Sequence, residues 1–238
     1  MTRPLLRARG VGRSFASAHG ESAVVLDDIH LAVAAGAFVA LTGASGSGKS
    51  TLLRCLSALD RPDSGSVEFD GTDLARLDDR RLSNLRRARM GFVFQHAEFL
   101  DELTVRENVL LPALERRGAG GALTRRRAER LLDRLGVAGL RDELPAGLSG
   151  GQRQRVGICR ALVNEPDVVF ADEPTGALHR EAAAEVVELF AELNRAGTTV
   201  VLVTHDPEVA SRASAQHRLV DGRLADVAAS GDDRRGRP

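Results

Sequence analysis

Short apolar runs set off by Gly-, Ser- and Asp-rich stretches occupy both ends of the chain, and arginine-studded segments of longer period fill the middle. Residues 5–9 and 23–33 read as strands, with a turn-rich stretch at 16–22 between them. The apolar run 38–43 predicts a short strand that enters a Gly/Ser loop, and 49–59 predicts the helix that follows. A further strand sits among turn residues at 61–71. From about Asp79 the texture turns helical, through 80–89, 107–117, 124–136 and 151–163. In the third of these, Ala128, Leu131, Leu132 and Leu135 share one face at i, i+3, i+4, i+7. Strand texture returns at 167–173 and 198–205, around a helix at 180–194 whose stripe is Ala183, Val186, Val187 and Phe190. A short helix and a hairpin at 217–226, turning on Asp221-Gly222, complete the pattern. The expected architecture is α/β: a core from residues 1–80 and 162–228, a helical insert at about 81–161, and a disordered tail at 229–238. Residues 1–228 are expected to form a single domain, and no internal repeat is visible.

Composition narrows the classes. With 33 basic and 33 acidic residues the formal charge is zero, so nothing in the balance argues for nucleic acid as a partner. The arginine clusters read as solvated helix faces. No apolar stretch approaches a membrane span, and residues 1–10 lack the apolar run of a signal peptide. A cytoplasmic location is expected. Cys55 and Cys159 lie far apart among apolar neighbours and read as buried, reduced thiols.

The loop carries the chemistry. Residues 43–50, GASGSGKS, fit G-x-x-x-x-G-K-[ST]. Gly43, Gly46 and Gly48 let the backbone curl its N–H groups around a polyphosphate, with Ala44, Ser45 and Ser47 between them. The helix that starts here, through Thr51, presents its positive end. Lys49 is placed for the β- and γ-phosphates and Ser50 for Mg²⁺. Lys49 is also the one lysine of the chain; the other 32 basic residues are arginine. An arbitrary lysine among 33 basic positions would fall here about one time in 33. A tight loop needs a compact point charge on a thin stem, which a planar guanidinium does not supply.

Downstream, the apolar strand 167–173 ends in two carboxylates: Asp172, suited to holding Mg²⁺, and Glu173, suited to orienting or deprotonating a water. No N-K-x-D guanine-reading motif exists, since the single lysine is already used. Residues 148–156, LSGGQRQRV, place Ser149, Gly150, Gly151 and Gln152 at another N–H-rich helix start.

That segment, after a P-loop and before an acidic strand, resembles the signature of the ATP-binding-cassette (ABC) family. The resemblance covers nearly the whole chain. It implies a P-loop NTPase fold, with a RecA-like core, an antiparallel β subdomain and an inserted α-helical subdomain. It also implies an ATPase whose two cassettes sandwich ATP and Mg²⁺, Ser149 of one closing on the nucleotide of the other. Gln95 matches the Q-loop, which senses Mg²⁺ and communicates with a membrane partner. His205 matches the switch histidine, and Phe15 aligns with the aromatic that stacks on adenine. The pattern breaks at His179, where the family usually has Asp in the loop that crosses the dimer interface. That break implies altered cross-talk between sites and slow or pH-sensitive turnover. Residues 59–71, 82–95, 103–114 and 149–162 look like the macrolide-exporter and lipoprotein-release subgroup. The expected role is thus the ATP-hydrolysing subunit of an exporter or mechanotransmission machine. It would form a homodimer on a separate permease of few spans, peripheral on the cytoplasmic face of the plasma (inner) membrane. Residues 99–109 would either dock that permease or face the core. The competing reading is a soluble ABC ATPase of DNA repair or translation.

Overall fold

A computed structural model describes residues 3–16, 22–114, 121–176 and 178–225. The tail at 229–238 and most of the turn-rich stretch after Phe15 lie outside the described residues. Ten strands are present among them: β1 (Pro4–Ala16), β2 (Ser22–Ala34), β3 (Phe38–Thr42), β4 (Ser64–Phe69), β5 (Thr72–Asp73), β6 (Met90–Val93), β7 (Val168–Asp172), β8 (Thr199–Val203), β9 (Ala215–Val220) and β10 (Arg223–Ala225). The α-helices are α1 (Lys49–Leu56), α2 (Asp79–Arg89), α3 (Val105–Leu114), α4 (Ala122–Arg134), α5 (Gly150–Leu162), α6 (Arg180–Arg195) and α7 (Pro207–Ala210).

Two sheets organise the core. The first is antiparallel, in the order β2-β1-β4-β5. Its strands alternate buried and exposed positions, as a sheet with one wet face must. Asp28, at φ 53°, interrupts the phase of β2 so that Leu26 and Ile29 both face inward. The second sheet runs β10-β9-β3-β8-β7-β6 and is parallel except at the β9–β10 hairpin. The predicted Asp221-Gly222 turn closes that hairpin with φ of 47° and 76°, the two positive values that a two-residue primed turn requires.

The parallel sheet is a wall between two cores. Val39, Leu41, Val168, Phe170, Val201 and Val203 face α1 and the antiparallel sheet. Phe38, Val169, Ala171, Val200 and Leu202 face the helices α3 to α6. Both faces are covered, so β7 and β8 read as continuous apolar runs rather than alternating ones. Phe170 is fully buried, which stabilises the fold by roughly 2–3 kcal/mol relative to an exposed ring.

Two local readings shift. The strand β6 lies inside the stretch expected to be the helical insert, and it pairs in register with β7. Four residues abutting the arginine-rich α2 are too few to show a period, so only pairing reveals them. In α6 the buried stripe is Ala182, Val186, Val187, Leu189 and Phe190, with Ala183 half-buried. Cys55 and Cys159 are both buried free thiols, as expected. Desolvation pushes the Cys55 thiol up to about 11 and raises that of Cys159 as well.

Candidate active site

Parallel strands put all their C-terminal ends on one edge, and that edge is where ligands of such sheets sit. Here β3 ends in the Gly43–Gly48 loop, β7 in Asp172 and Glu173, and β8 in Thr204 and His205. The register makes these ends adjacent: Leu41 and Asp172 both pair with Val203.

The loop is built on glycines that nothing else could replace. Gly43 has φ 147°, and a Cβ there would lie 2.4 Å from the Leu219 carbonyl. Gly48, at φ 100°, would strike the Val25 carbonyl at 2.7 Å. Gly48 is also the N-cap of α1 and brings no side-chain cap, so the first N–H groups of the helix stay available. Lys49 is 7% exposed and folds back, donating from Nζ to the carbonyls of Gly43 at 2.9 Å and Ala44 at 2.8 Å. Ser47 Oγ is buried without a hydrogen-bond partner. Helix end, ammonium and orphan hydroxyl together make a cradle for an oxyanion. Ala44, Ser45 and Gly46 are exposed on its outer lip, and Thr51 is half-buried in α1.

Strand parity delivers the next pair. Asp172 continues the Val168, Phe170 face, which points toward α1, and there it accepts a hydrogen bond from Ser50 Oγ at 2.9 Å. Burial pushes the Asp172 carboxyl up, the Ser50 bond opposes that rise, and the neighbouring Glu173 adds to it. A hydroxyl and a carboxylate held this close are the hard oxygen donors that Mg²⁺ takes, so the pair fits that ion.

Glu173 occupies φ 45°, an unusual conformation for a residue with a side chain, and its N–H is tied to the Val203 carbonyl at 3.0 Å. The turn brings Glu173 Oε1 to 2.9 Å from His205 Nδ1. Glu173 keeps 15% of its side chain exposed and His205 keeps 73%, so the pair opens onto solvent. Gln95 follows β6 and lies beside this turn: a Cβ on Gly176 would be 3.3 Å from Gln95 Nε2.

Other expected residues stand apart from the cradle. Phe15 is 42% exposed on β1, with the Arg13 guanidinium 5.0 Å from its ring centroid. Ser149 caps α5 in a capping box, in which its Oγ accepts from Gln152 N–H and its own N–H donates to Gln152 Oε1 at 2.8 Å. Gly150 lines a cavity with Gln95, while neither Ser149 nor Gly151 lines the cavity beside the phosphate loop. Thus one chain assembles Lys49, Ser50, Asp172, Glu173, His205 and Gln95, and leaves Ser149 facing outward.

His179 caps α6, with Nδ1 accepting from Ala182 N–H at 3.3 Å. Sequence reading singled this position out and missed the cap. Protonating Nδ1 removes the acceptor and sets a positive charge against the helix N-terminus. Aspartate is a better cap there. H179D is expected to raise the melting temperature by about 2 °C, as thermal scans would show. An unchanged melting temperature would mean that the cap contributes nothing.

The chain is similar to known proteins over most of its length. Residues 26–176 match the family model described as ABC transporter. A macrolide export ATP-binding/permease protein of Paracoccus denitrificans is 50% identical over 221 residues, covering 93% of this chain and 33% of that protein. A probable syringafactin export ATP-binding/permease protein of Pseudomonas syringae is 46% identical over 224 residues, 94% of this chain and 34% of its own length. The chain therefore spans about a third of the curated relatives it matches. An ATP-binding cassette solved as a dimer in a post-hydrolysis state with ADP and Pi superposes with a TM-score of 0.87 at 38% identity, covering 92% of this chain and 96% of that one. A part of an ABC transporter complex from Clostridium perfringens superposes at 0.78 with 27% identity, covering 94% and 87%. The fold is that of the ABC ATPases, and the chain belongs to the ABC transporter family.

Proposed function

We propose that the protein binds and hydrolyses ATP to drive a membrane permease of the export or mechanotransmission type. The observation that carries this is the meeting of an oxyanion cradle, a Ser50–Asp172 oxygen pair and a Glu173–His205 pair at one sheet edge. Lys49 and the loop N–H groups hold the phosphates, and the half-exposed Phe15 ring would stack on the adenine. Ser50 and Asp172, with Gln95 beside them, would hold Mg²⁺, which supplies charge neutralisation for the phosphates when bound. Glu173 accepts a proton from the attacking water as its oxygen bonds to the γ-phosphorus and the bond to ADP breaks. His205 orients Glu173 and faces the γ-phosphate. Catalysis is positioning and charge stabilisation, without a covalent intermediate.

Ser149 and Gly150 are exposed, and none of Ser149, Gly150, Gly151 and Gln152 lines the cavity beside the phosphate loop, which supports a head-to-tail homodimer in which they close the partner's site. A groove of about 330 Å³ lies between α2, β6, α3 and α5. Met90, Phe92 and Phe94 give it an apolar floor, and Arg86 and Arg160 stand at its side. That chemistry suits an amphipathic permease segment with an acidic residue. Among the described residues no helix is long and apolar enough to cross a membrane. Attachment would be peripheral, on the cytoplasmic face of the inner membrane. No observation favours the soluble DNA-repair or translation reading, and the related proteins are named for export.

Partner capture tests this. E173Q, tagged and expressed in the native host, is expected to bring down a polytopic membrane protein in stoichiometric amount from membranes solubilised with ATP and Mg²⁺. Recovery of ribosomes or DNA without a membrane protein would overturn the transport reading.

A further inference from the structure

The helix α5 is fastened to the segment 94–99 at successive points along its length. Gln154, 2% exposed, donates from Nε2 to the Phe94 carbonyl at 3.0 Å. One turn on, Gly157 lets the segment approach so closely that a Cβ there would lie 2.9 Å from Ala97 Cβ. A further turn along, Arg160 donates to the Glu98 carbonyl at 2.5 Å and stacks on Phe99, its guanidinium 4.9 Å from the ring centroid. Arg153 reaches the same ring at 5.9 Å. The spacing 153, 154, 157, 160 is one helix face, so a single rigid element holds the whole segment.

The position of the first fastening matters most. Phe94 immediately precedes Gln95, and Gln95 lies against Gly176 in the turn that follows Glu173. The direction of a side chain is set by the two peptides that flank it, and here the carbonyl of the N-terminal one is fixed by the Gln154 amide. A buried amide has no water to replace such a partner, so removing it leaves the Phe94 carbonyl unpaired. We infer that Gln154 is a positioning residue for the ATPase site: its amide holds the Phe94 carbonyl and so aims Gln95 at the Asp172–Glu173 edge. This rests on the ATPase reading above. It assigns to the middle of α5 a task separate from that of the helix start, where Ser149 and Gln152 are occupied with each other.

Two substitutions and two readouts test it. Q154L keeps nearly the same volume and deletes the donor. G157A leaves Gln154 in place, favours the helix, and presses the segment off α5 through the new methyl group. In both variants, amide hydrogen exchange across residues 94–99 of the nucleotide-free protein is expected to quicken about tenfold. The Mg²⁺ concentration that half-saturates ATP turnover is expected to rise about tenfold, the usual scale for losing a group that orients a metal ligand. ATP binding measured without Mg²⁺ should stay within about twofold, because the phosphate cradle is untouched. A Mg²⁺ requirement equal to wild type in both variants would overturn the inference, even if their melting temperatures fall. If Q154L does not fold, G157A alone decides by the same criterion. A wild-type protein that binds ATP and never turns it over would overturn the ATPase reading and this inference together, an outcome visible before either variant is made.

Discussion

E173Q is expected to lower ATP turnover by about 10²- to 10⁴-fold while ATP affinity stays within about twofold. The amide matches the carboxylate in size, and its oxygen can still accept from His205 Nδ1, which the native carboxylate meets at 2.9 Å. The left-handed turn at residue 173 and its tie to Val203 are backbone features and do not depend on the side chain. What is lost is the proton acceptor. A second effect should follow, because the negative charge at 173 is one of the causes that raise the Asp172 carboxyl, and its removal eases that rise. The variant should therefore bind nucleotide and hold it. Phosphate release and fluorescent-nucleotide titration measure the two halves. Turnover above a tenth of wild type would assign the base to another group.

The second large effect is expected at the single lysine. K49R keeps the charge, yet it should weaken ATP binding by roughly 30- to 200-fold, or about 2–3 kcal/mol, the scale of hydrogen bonds to charged groups. Lys49 is 7% exposed, and its ammonium already sits 2.8–2.9 Å from two loop carbonyls. A guanidinium is wider, flat, and spreads its donors in a fork that the curl of Gly43 and Ala44 has no room to receive. Gly43 packs closely on the Leu219 carbonyl and Gly48 on the Val25 carbonyl, so the loop has little space around it. Calorimetric titration with ATP would decide this. Near-wild-type affinity in K49R would show that the site reads charge alone.

Much of this site is visible along the chain because its parts are local. A phosphate loop is a strand end, a few glycines and a helix start, all within residues 38–56, and the motif contains its own geometry. The α5 cap is equally local, since Ser149 and Gln152 satisfy each other three residues apart. What the sequence hides is set by pairing between distant strands. The approach of Glu173 to His205 depends on β7 lying beside β8 in one register. The strand β6 is four residues long, and its identity comes from a neighbour 78 positions downstream, as Met90 opposite Val168 shows. The Gln154 latch was equally invisible: a glutamine in a run of arginines reads as solvated surface until the helix is packed against the segment that precedes Gln95. His179 was legible as unusual, yet its role as a cap needed the start of α6 to be located.

The wall between the two cores has a consequence for how this gene can change length. Asp172 and Glu173 are neighbours in sequence, but odd and even positions of β7 belong to opposite compartments. Strand parity delivers Asp172 to Ser50, and the left-handed turn that follows delivers Glu173 to His205. Adding or deleting one residue within β7 would turn every side chain beyond it to the other face, and Asp172 would lose Ser50 without being mutated. Insertions and deletions in this protein should accordingly collect in the connections around Val168–Asp172 and never inside it, a reading-frame constraint imposed by geometry rather than by codons.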